Sequence, residues 1–271
     1  MDERPIGIFD SGIGGLTVLH EIGVLLPREN LIYLGDTARV PYGTKSIETV
    51  VRYSVENTRF LLSKDVKAVV IACNTASATA VDFLRSEYDL PVLGVIEAGV
   101  EEARRRSRTG KIGVIGTSAT IQSGKYEALL RKSGFTQIIS AACPLFVPLA
   151  EEGWTDNKVA EDVARTYLEP FGNGAVDALI LGCTHYPLLE NVIGRILGDG
   201  VSLINSAKAI AAKLKERLAA TGLQNESGAG ERLYFFTDSV ERARTVGGRF
   251  LGENLENRIR LADLSEFAHP I

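Results

Sequence analysis

Two short stretches, VVIACNTASA (Val69–Ala78) and LILGCTHYPLL (Leu179–Leu189), decide how this chain folds. Each begins as an apolar run with the length and composition of a buried strand. Each run ends in a cysteine followed by polar residues, and the second continues into a histidine and a turn-forming proline. The chain has only three cysteines, so the placement of Cys73 and Cys183 at the ends of two similar strands needs an explanation.

The composition is typical of a globular protein with two domains. A chain of 271 residues is too long for one small core, and 45% of its residues are apolar. A net charge of −4 argues against a nucleic-acid surface, which needs a concentrated basic face. No apolar stretch approaches a membrane span, and we expect the N-terminus to lead into a strand without a signal peptide. Without CxxC spacing, the cysteines indicate neither a disulfide framework nor a zinc site, so we expect a cytoplasmic protein.

Short β-branched runs alternate with longer amphipathic stretches, which predicts βα units around mostly parallel sheets. A helical apolar face lies between Ser46 and Lys64, and a polar, glycine-rich linker begins at Gly222. Strands are predicted near residues 6–10, 31–35, 67–72, 92–96, 111–116, 137–140, 176–181, 201–205 and 232–237.

The chain also repeats itself at a nearly constant offset. The repeated segments are IGIFDSG at Ile6 and IGVIGTS at Ile112, the strands at 31–35 and 137–140, the stretches that end in Cys73 and Cys183, and PVLGVIEA at Pro91 with VSLINSA at Val201. All four pairs are separated by about 105 to 110 residues, which is too long for a solenoid. The repeat therefore predicts two similar α/β domains.

We expect two pseudo-symmetric, doubly wound domains with mostly parallel sheets and the active site in the cleft between them. The first domain is predicted to comprise residues 1–97 plus about 207–271, and the second residues 98–206. Ligands of open α/β sheets bind outside the carboxyl ends of the strands, which is where both cysteines lie. Two facing domains would present one cysteine from each wall of the cleft.

The polar residues that follow each cysteine in the sequence favour a functional role for Cys73 and Cys183. These residues are Asn74, Thr75, Thr184 and His185. A strand end followed by a helix N-terminus offers free backbone N–H groups, which favour a bound carboxylate and lower the pKa of a thiol from about 8.5. Free cysteine often simply fills space in a core, and this is the interpretation for Cys143, which has apolar neighbours. A histidine two residues from a candidate thiolate is suited to handling protons.

The loop after the first strand, FDSGIGGL, leaves two interpretations of Asp10 open. The acid either caps the following helix from a tight turn or takes a direct catalytic role beside Ser11. A dinucleotide loop with Asp36 as the ribose acid fits poorly, because Thr17 occupies the third glycine position and Asp10 would repel a pyrophosphate.

Two further loops carry candidates. In LGDTARVPYGTKS, Tyr42 either places its hydroxyl on a ligand or covers the loop. In PLAEEG, Glu151 and Glu152 occupy roughly the place in the second half that the DTARVPYG loop occupies in the first. The two glutamates are either site residues or part of a solvated helix end. The segment GVIGTSAT predicts a helix-start loop and nothing more specific.

Two thiols on opposite walls suit one chemistry in particular. One thiol removes a proton from a stereocentre, and the other returns a proton from the opposite face. An amino acid's α-proton is far less acidic than a thiol. The site must therefore hold one desolvated thiolate and spread the developing charge over hydrogen-bond donors around the substrate carboxylate.

Six blocks of this sequence together resemble the glutamate racemases of the aspartate/glutamate racemase superfamily. The blocks are GIFDSGIGGLTVL, YLGDTARVPYG, ACNTASA, GVIEAG, CPLFVPL and GCTHYPLL, which run in order from Gly7 to about Leu189. The resemblance implies interconversion of L-glutamate and D-glutamate without a cofactor or metal, supplying D-glutamate for peptidoglycan. It also implies a homodimer that binds glutamate and neither nucleic acid nor membrane.

The resemblance also implies roles for particular residues. Cys73 and Cys183 would be the two acid/base groups, with Asp10 supporting the first and His185 and Glu151 supporting the second. Glu152 stays open as the alternative to Glu151. The substrate site would be lined by Asp10, Ser11, Tyr42, Gly43, Asn74, Thr75, Thr184 and His185.

Three other functions compete with this one. An aspartate or hydantoin racemase would share the mechanism with two thiols. A non-catalytic protein could close two lobes on an amino acid and carry its cysteines as spectators. A nucleotide-binding oxidoreductase comes third.

Overall fold

The structure is a computed structural model that describes residues 2–252, 255 and 258–268. The described strands are β1 Ile6–Asp10, β2 Leu31–Gly35, β3 Ala68–Ile71, β4 Val92–Gly94, β5 Lys111–Gly116, β6 Gln137–Ala142, β7 Ala178–Gly182, β8 Ser202–Asn205, β9 Arg232–Phe236 and β10 Ile259–Leu261. The α-helices are α1 Leu16–Leu25, α2 Ile47–Leu62, α3 Asn74–Thr79, α4 Val81–Glu87, α5 Val95–Arg106, α6 Ser118–Gln122, α7 Lys125–Lys132, α8 Phe146–Glu151, α9 Lys158–Leu168, α10 Glu190–Leu197, α11 Ser206–Thr221 and α12 Val240–Leu251. Short 3₁₀ turns lie at Tyr42–Thr44, Glu169–Phe171, Tyr186–Leu189 and Ser265–Phe267.

The strands form two parallel sheets with the same internal order. One sheet has six strands in the order β10-β9-β2-β1-β3-β4, and the other has four in the order β6-β5-β7-β8. The order β2-β1-β3-β4 in the first sheet matches β6-β5-β7-β8 in the second, strand for strand along the chain. The predicted pseudo-symmetric α/β fold with parallel sheets is therefore confirmed.

Apolar clusters lie on both faces of each sheet, as the doubly wound prediction requires. Strands covered on both faces have no solvent side and so read as continuous apolar runs rather than alternating ones. This is why β3 (AVVI) and β7 (ALILG) are buried along their whole lengths. The two stretches that stood out in the sequence are thus central strands of their sheets.

All nine predicted strands are present, with shifts at some ends. The strand expected to reach residue 96 ends at Gly94, because Val95 already begins α5. Strand β10 was missed, since three residues at a sheet edge carry too little periodicity to be recognised. Strands β9 and β10 follow the linker and extend the first sheet beyond β2. The predicted boundaries at 97/98 and near 207 stay a prediction.

The topology brings chemically interesting residues to two short sheet edges. Strands β1 and β3 are neighbours whose carboxyl ends carry Asp10 and, two residues beyond Ile71, Cys73. Strands β5 and β7 are neighbours whose ends pair Gly116 with Gly182, the residue before Cys183. Helices α5 and α11, which connect the two sheets, pack against each other. Among the described helices, none is both long enough and apolar enough to cross a membrane.

A buried ion pair joins several segments at the opposite end of the first sheet. Lys67, just before β3, lies with its Nζ 2.5 Å from Glu29 Oε2, and both side chains are almost fully buried. Lys67 Nζ also donates to the Asp2 carbonyl at 2.6 Å, and Glu29 Oε1 accepts the Asn225 N–H at 2.8 Å. The pair therefore ties the N-terminal segment, the turn before β2 and the linker to the sheet.

We expect Lys67→Met to lower the free energy of unfolding by about 3–5 kcal/mol, because it leaves the Glu29 carboxylate buried without its cation. The matched control is Lys158→Met, which removes an ion pair to Asp162 whose side chains are 74% and 58% exposed. That loss should lie between about 0 and 1 kcal/mol. Urea unfolding of both variants measures the difference. Equal losses would show that the buried pair has no special structural role.

Candidate active site

A cavity of about 350 Å³ lies where the carboxyl ends of the two sheets face each other. Cys73 and Cys183 both line it, and each is 6% exposed. We call the two sides the Cys73 wall (Asp10, Ser11 and residues 73–75) and the Cys183 wall (Glu151 and residues 183–185). Of the site residues predicted from the sequence, the cavity is lined by Ser11, Tyr42, Gly43, Cys73, Asn74, Thr75, Glu151, Cys183, Thr184 and His185.

Cys73 occupies the N-cap position of α3, directly after the buried strand β3. Its thiol donates a hydrogen bond to Ser11 Oγ at an Sγ–Oγ distance of 3.5 Å. Burial, reinforced by the negative charge of Asp10, raises the pKa of Cys73 to about 12. This thiol therefore carries its proton at neutral pH.

Asp10 lies behind the cavity surface at the end of β1 and is almost fully buried. One carboxylate oxygen, Oδ2, accepts the Gly12 N–H at 3.0 Å. The other, Oδ1, is buried and has no hydrogen-bond partner among the described residues. Burial raises the pKa of Asp10, while the positive charge of His185 and the N–H groups of the following turn oppose the rise. A buried carboxyl with one unused oxygen is suited to exchanging a proton or a hydrogen bond with a neighbour.

The Cys183 wall contains a relay of charged side chains. Cys183 Sγ lies 3.8 Å from His185 Nδ1, and His185 Nε2 lies 3.1 Å from Glu151 Oε1. Glu151 Oε2 accepts a hydrogen bond from Arg242 Nη2 at 2.8 Å. Glu152, the alternative to Glu151, is exposed and does not line the cavity.

The charges of this relay follow from its contacts. Burial alone would lower the pKa of His185, but hydrogen bonds to Cys183 and Glu151 outweigh it and raise the pKa to about 10. The hydrogen bond from His185 lowers the pKa of Glu151 to about 2, against burial and with help from Arg242. His185 is therefore an imidazolium, with one N–H facing the thiol and the other facing a carboxylate. A cation at this position stabilises negative charge on the sulfur.

The Tyr42 hydroxyl is engaged inside the protein. It donates to Asp36 and accepts a hydrogen bond from Asn57 Nδ2 at 3.0 Å. Asp36 also accepts from Arg39 Nε at 2.7 Å and from Thr237 Oγ1 at 3.1 Å. Tyr42 also lines the cavity, so its place in the substrate site stays a prediction.

Several lining residues were missed in the sequence. Thr117, Ser118 and Thr120 come from the segment that predicted only a helix start. The repeat contains a signal that identifies Thr117, which stands in the second half where Ser11 stands in the first. The hydroxyls of Thr120 and Thr75, which both line the cavity, are hydrogen-bonded at an Oγ1–Oγ1 distance of 3.4 Å. Arg242 lies on α12, beyond the linker, and no local pattern marks it.

The two walls differ in charge although each carries one cysteine thiol. A neutral thiol beside a buried carboxyl faces a thiol beside a cation, with hydroxyl and amide groups between them. Such a site can remove a proton on one side of a small molecule and supply one on the other. In the described ranges, histidine, cysteine, aspartate and glutamate side chains do not group in threes in a way that could hold a metal ion.

Comparisons with known proteins agree on one family. The family profile described as Asp/Glu/Hydantoin racemase matches residues 18–214. A glutamate racemase from Geobacter metallireducens is 52% identical over 257 residues, which is 94% of this chain and 95% of the relative. The crystal structure of a glutamate racemase isoform from Bacillus anthracis superposes with a TM-score of 0.93 at 38% identity, covering 97% and 99% of the two chains. The Francisella tularensis glutamate racemase in complex with D-glutamate gives 0.90 at 39% identity, covering 98% and 100%.

The relay predicts the titration of His185. In Glu151→Gln the pKa of His185 should fall from about 10 toward its ordinary value of 6.5, because the carboxylate that stabilises the cation is gone. The matched control is Glu152→Gln, which removes a neighbouring exposed carboxylate and should leave the pKa unchanged. NMR titration of the histidine ring resonances measures both. A shift in the Glu152 variant, or none in the Glu151 variant, would assign the helper acid differently.

Proposed function

The chain belongs to the aspartate/glutamate racemase superfamily, and from this premise we propose that it interconverts L-glutamate and D-glutamate by proton transfer between two cysteines. The observation that carries the proposal is that Cys73 and Cys183, which follow corresponding strands of the two sheets, line one cavity. The curated relative and the two solved neighbours named above are glutamate racemases, which favours glutamate over aspartate or a hydantoin as the substrate.

The first step removes the α-proton. We infer that Cys183 acts as the base for one enantiomer, since the adjacent imidazolium of His185 stabilises the thiolate that the step requires. The Glu151 carboxylate holds the imidazole ring in place through Nε2. The resemblance to the family assigns L-glutamate to Cys183 and D-glutamate to Cys73.

The second step returns a proton from the opposite face. Cys73 is a neutral thiol in the resting site, so it can donate its proton to the carbanion at once. For the reverse reaction Cys73 must first lose that proton. Asp10 is the candidate to assist, because its charge acts on Cys73 and its Oδ1 has no hydrogen-bond partner among the described residues. The two acid/base groups account for the reaction by themselves, and the proposal therefore includes no cofactor.

The negative charge that develops on the substrate needs hydrogen-bond donors around its carboxylates. The cavity offers the amide of Asn74 and the hydroxyls of Ser11, Thr75 and Thr184, all in place before the substrate arrives. Preorganised donors in a water-poor site stabilise such charge more strongly than water does. We propose these groups, with the loop at Tyr42 and Gly43, as the substrate site.

The wider role follows from the resemblance. D-Glutamate made in the cytoplasm would supply peptidoglycan synthesis, and the enzyme would act as a homodimer, as is usual in the family.

We predict that purified protein racemises glutamate without an added cofactor. The circular dichroism of an L-glutamate solution should decay to zero, and a D-glutamate solution should reach the same end point from the opposite sign. L-Aspartate serves as the substrate control and should decay much more slowly. Faster decay with aspartate would reassign the substrate, and a requirement for pyridoxal phosphate would overturn the mechanism.

We predict that Cys73→Ser and Cys183→Ser each lose racemisation by at least about 10²-fold, since a hydroxyl is a much poorer base than a thiolate. Each variant keeps one thiol, however, and elimination of a β-leaving group needs only the initial proton removal. With a glutamate analogue that carries β-chloride, the two variants should therefore release chloride from opposite enantiomers.

The matched control for these variants is Cys143→Ser. Cys143 is buried in the second-sheet core and does not line the cavity, so this variant should still racemise. Chloride release from the same enantiomer by both active-site variants would contradict the two-base mechanism.

A further inference from the structure

Tyr126 lies at the junction of the two cysteine-bearing loops, although it was not singled out in the sequence. It is on α7 and only 3% exposed. Its hydroxyl donates a hydrogen bond to Asn74 Oδ1 at 2.8 Å, and Asn74 is the residue after Cys73. Its ring packs against Gly182, the residue before Cys183, so closely that a Cβ there would lie 3.1 Å from Cε2. One side chain thus touches both loops.

The hydrogen bond fixes the orientation of the Asn74 amide. A buried tyrosine O–H needs an acceptor, and Asn74 Oδ1 is the acceptor that it has. With Oδ1 held there, the NH₂ group of Asn74 must point the other way. Among the described residues Nδ2 has no hydrogen-bond partner, although it is fully buried and Asn74 lines the cavity.

An unpartnered buried NH₂ group destabilises a folded protein unless something else supplies its acceptor. The cavity holds the substrate, which on the proposed function carries two carboxylates. A reversed amide would instead turn the lone pairs of Oδ1 toward a carboxylate and repel it. The orientation of one amide therefore decides between attraction and repulsion.

We propose that Tyr126 is a positioning residue that holds the Asn74 carboxamide with its NH₂ group toward the cavity, where it donates to a carboxylate oxygen of the substrate. This inference rests on the proposed function, because it takes glutamate as the substrate. Tyr126 itself touches no reacting atom and acts only through Asn74.

The test is a double-mutant cycle of Tyr126→Phe and Asn74→Ala, read as KM and kcat for glutamate. Tyr126→Phe removes only the hydroxyl and should raise KM about tenfold, with kcat changed by less than about threefold, as expected for one lost charge-assisted hydrogen bond. The double variant should match Asn74→Ala alone, because the hydroxyl has no role once the amide is gone. A purely structural role would make the two effects multiply, and that result would overturn the inference.

The matched control is Tyr186→Phe. Tyr186 is also fully buried and also donates a hydrogen bond, to the Cys143 carbonyl at 2.9 Å, but it does not line the cavity. Its KM should stay within about twofold of the parent value, since a lost neutral hydrogen bond away from the substrate affects stability rather than binding. A KM increase equal to that of Tyr126→Phe would mean that any buried hydroxyl loss disturbs the site, and would overturn the specific role.

A second variant, Asn74→Asp, keeps Tyr126 and tests the orientation directly. An aspartate can accept from Tyr126 with one oxygen and presents the other, negatively charged, to the substrate. Binding of D-glutamate, measured by calorimetry, should weaken more than in Asn74→Ala, and equal or tighter binding would overturn the inference. A parent protein that neither racemises nor binds glutamate would overturn the proposed function and this inference with it. Multiplying effects in an active parent would overturn the role of Tyr126 alone.

Discussion

The close contact of Gly14 with the Cys183 wall leaves no room for a side chain and limits the distance between the two walls of the cavity. Gly14, in the turn before α1, lies so close to the Cys183 wall that a Cβ would come within 2.3 Å of Thr184 Oγ1 and 2.5 Å of the His185 ring. Beside it, Thr17 Oγ1 donates to the Thr184 carbonyl at 2.8 Å. The proposed proton transfer to and from one carbon requires both thiols within contact distance of it, so on that mechanism the width of the cavity cannot vary by much. Tyr126 also touches both cysteine-bearing loops, at Asn74 and at Gly182.

The repeat places two equivalent thiols, but their surroundings are not equivalent. The counterpart of Asp10 in the second half is Gly116, and the counterpart of His185 in the first half is Thr75. Burial and the charge of Asp10 therefore raise the pKa of Cys73, while Cys183 lies beside an imidazolium. A two-base reaction needs one thiol with its proton and one without it at the start of each turnover. Two differences between the repeats, Asp10 against Gly116 and Thr75 against His185, thus place an acid beside one thiol and a cation beside the other.

The sequence predicts the framework well because the physics that shapes it is local. Buried parallel strands are continuous apolar runs, and their ends place Cys73 and Cys183 without knowledge of any contact. The roles of Tyr126 and Arg242 could not be predicted in this way, since each depends on a side chain that reaches a residue far away in the chain. Thr117 lies between these cases, because aligning the repeat would have identified it.

The C-terminal segment makes the walls unequal in a second way. Strands β9 and β10, with helix α12 between them, extend the first sheet, and the second sheet has no counterpart of these strands in the described part of the chain. Helix α12 reaches across to the Cys183 wall, where Arg242 pairs with Glu151 and the Phe250 ring packs edge-on against His185, with centroids 5.6 Å apart. Both oxygens of Glu151 are thereby occupied, and the carboxylate stays charged and fixed beside the imidazolium. The part of the chain outside the repeat thus stabilises the charged state of one wall only, which two copies of a symmetric unit could not do.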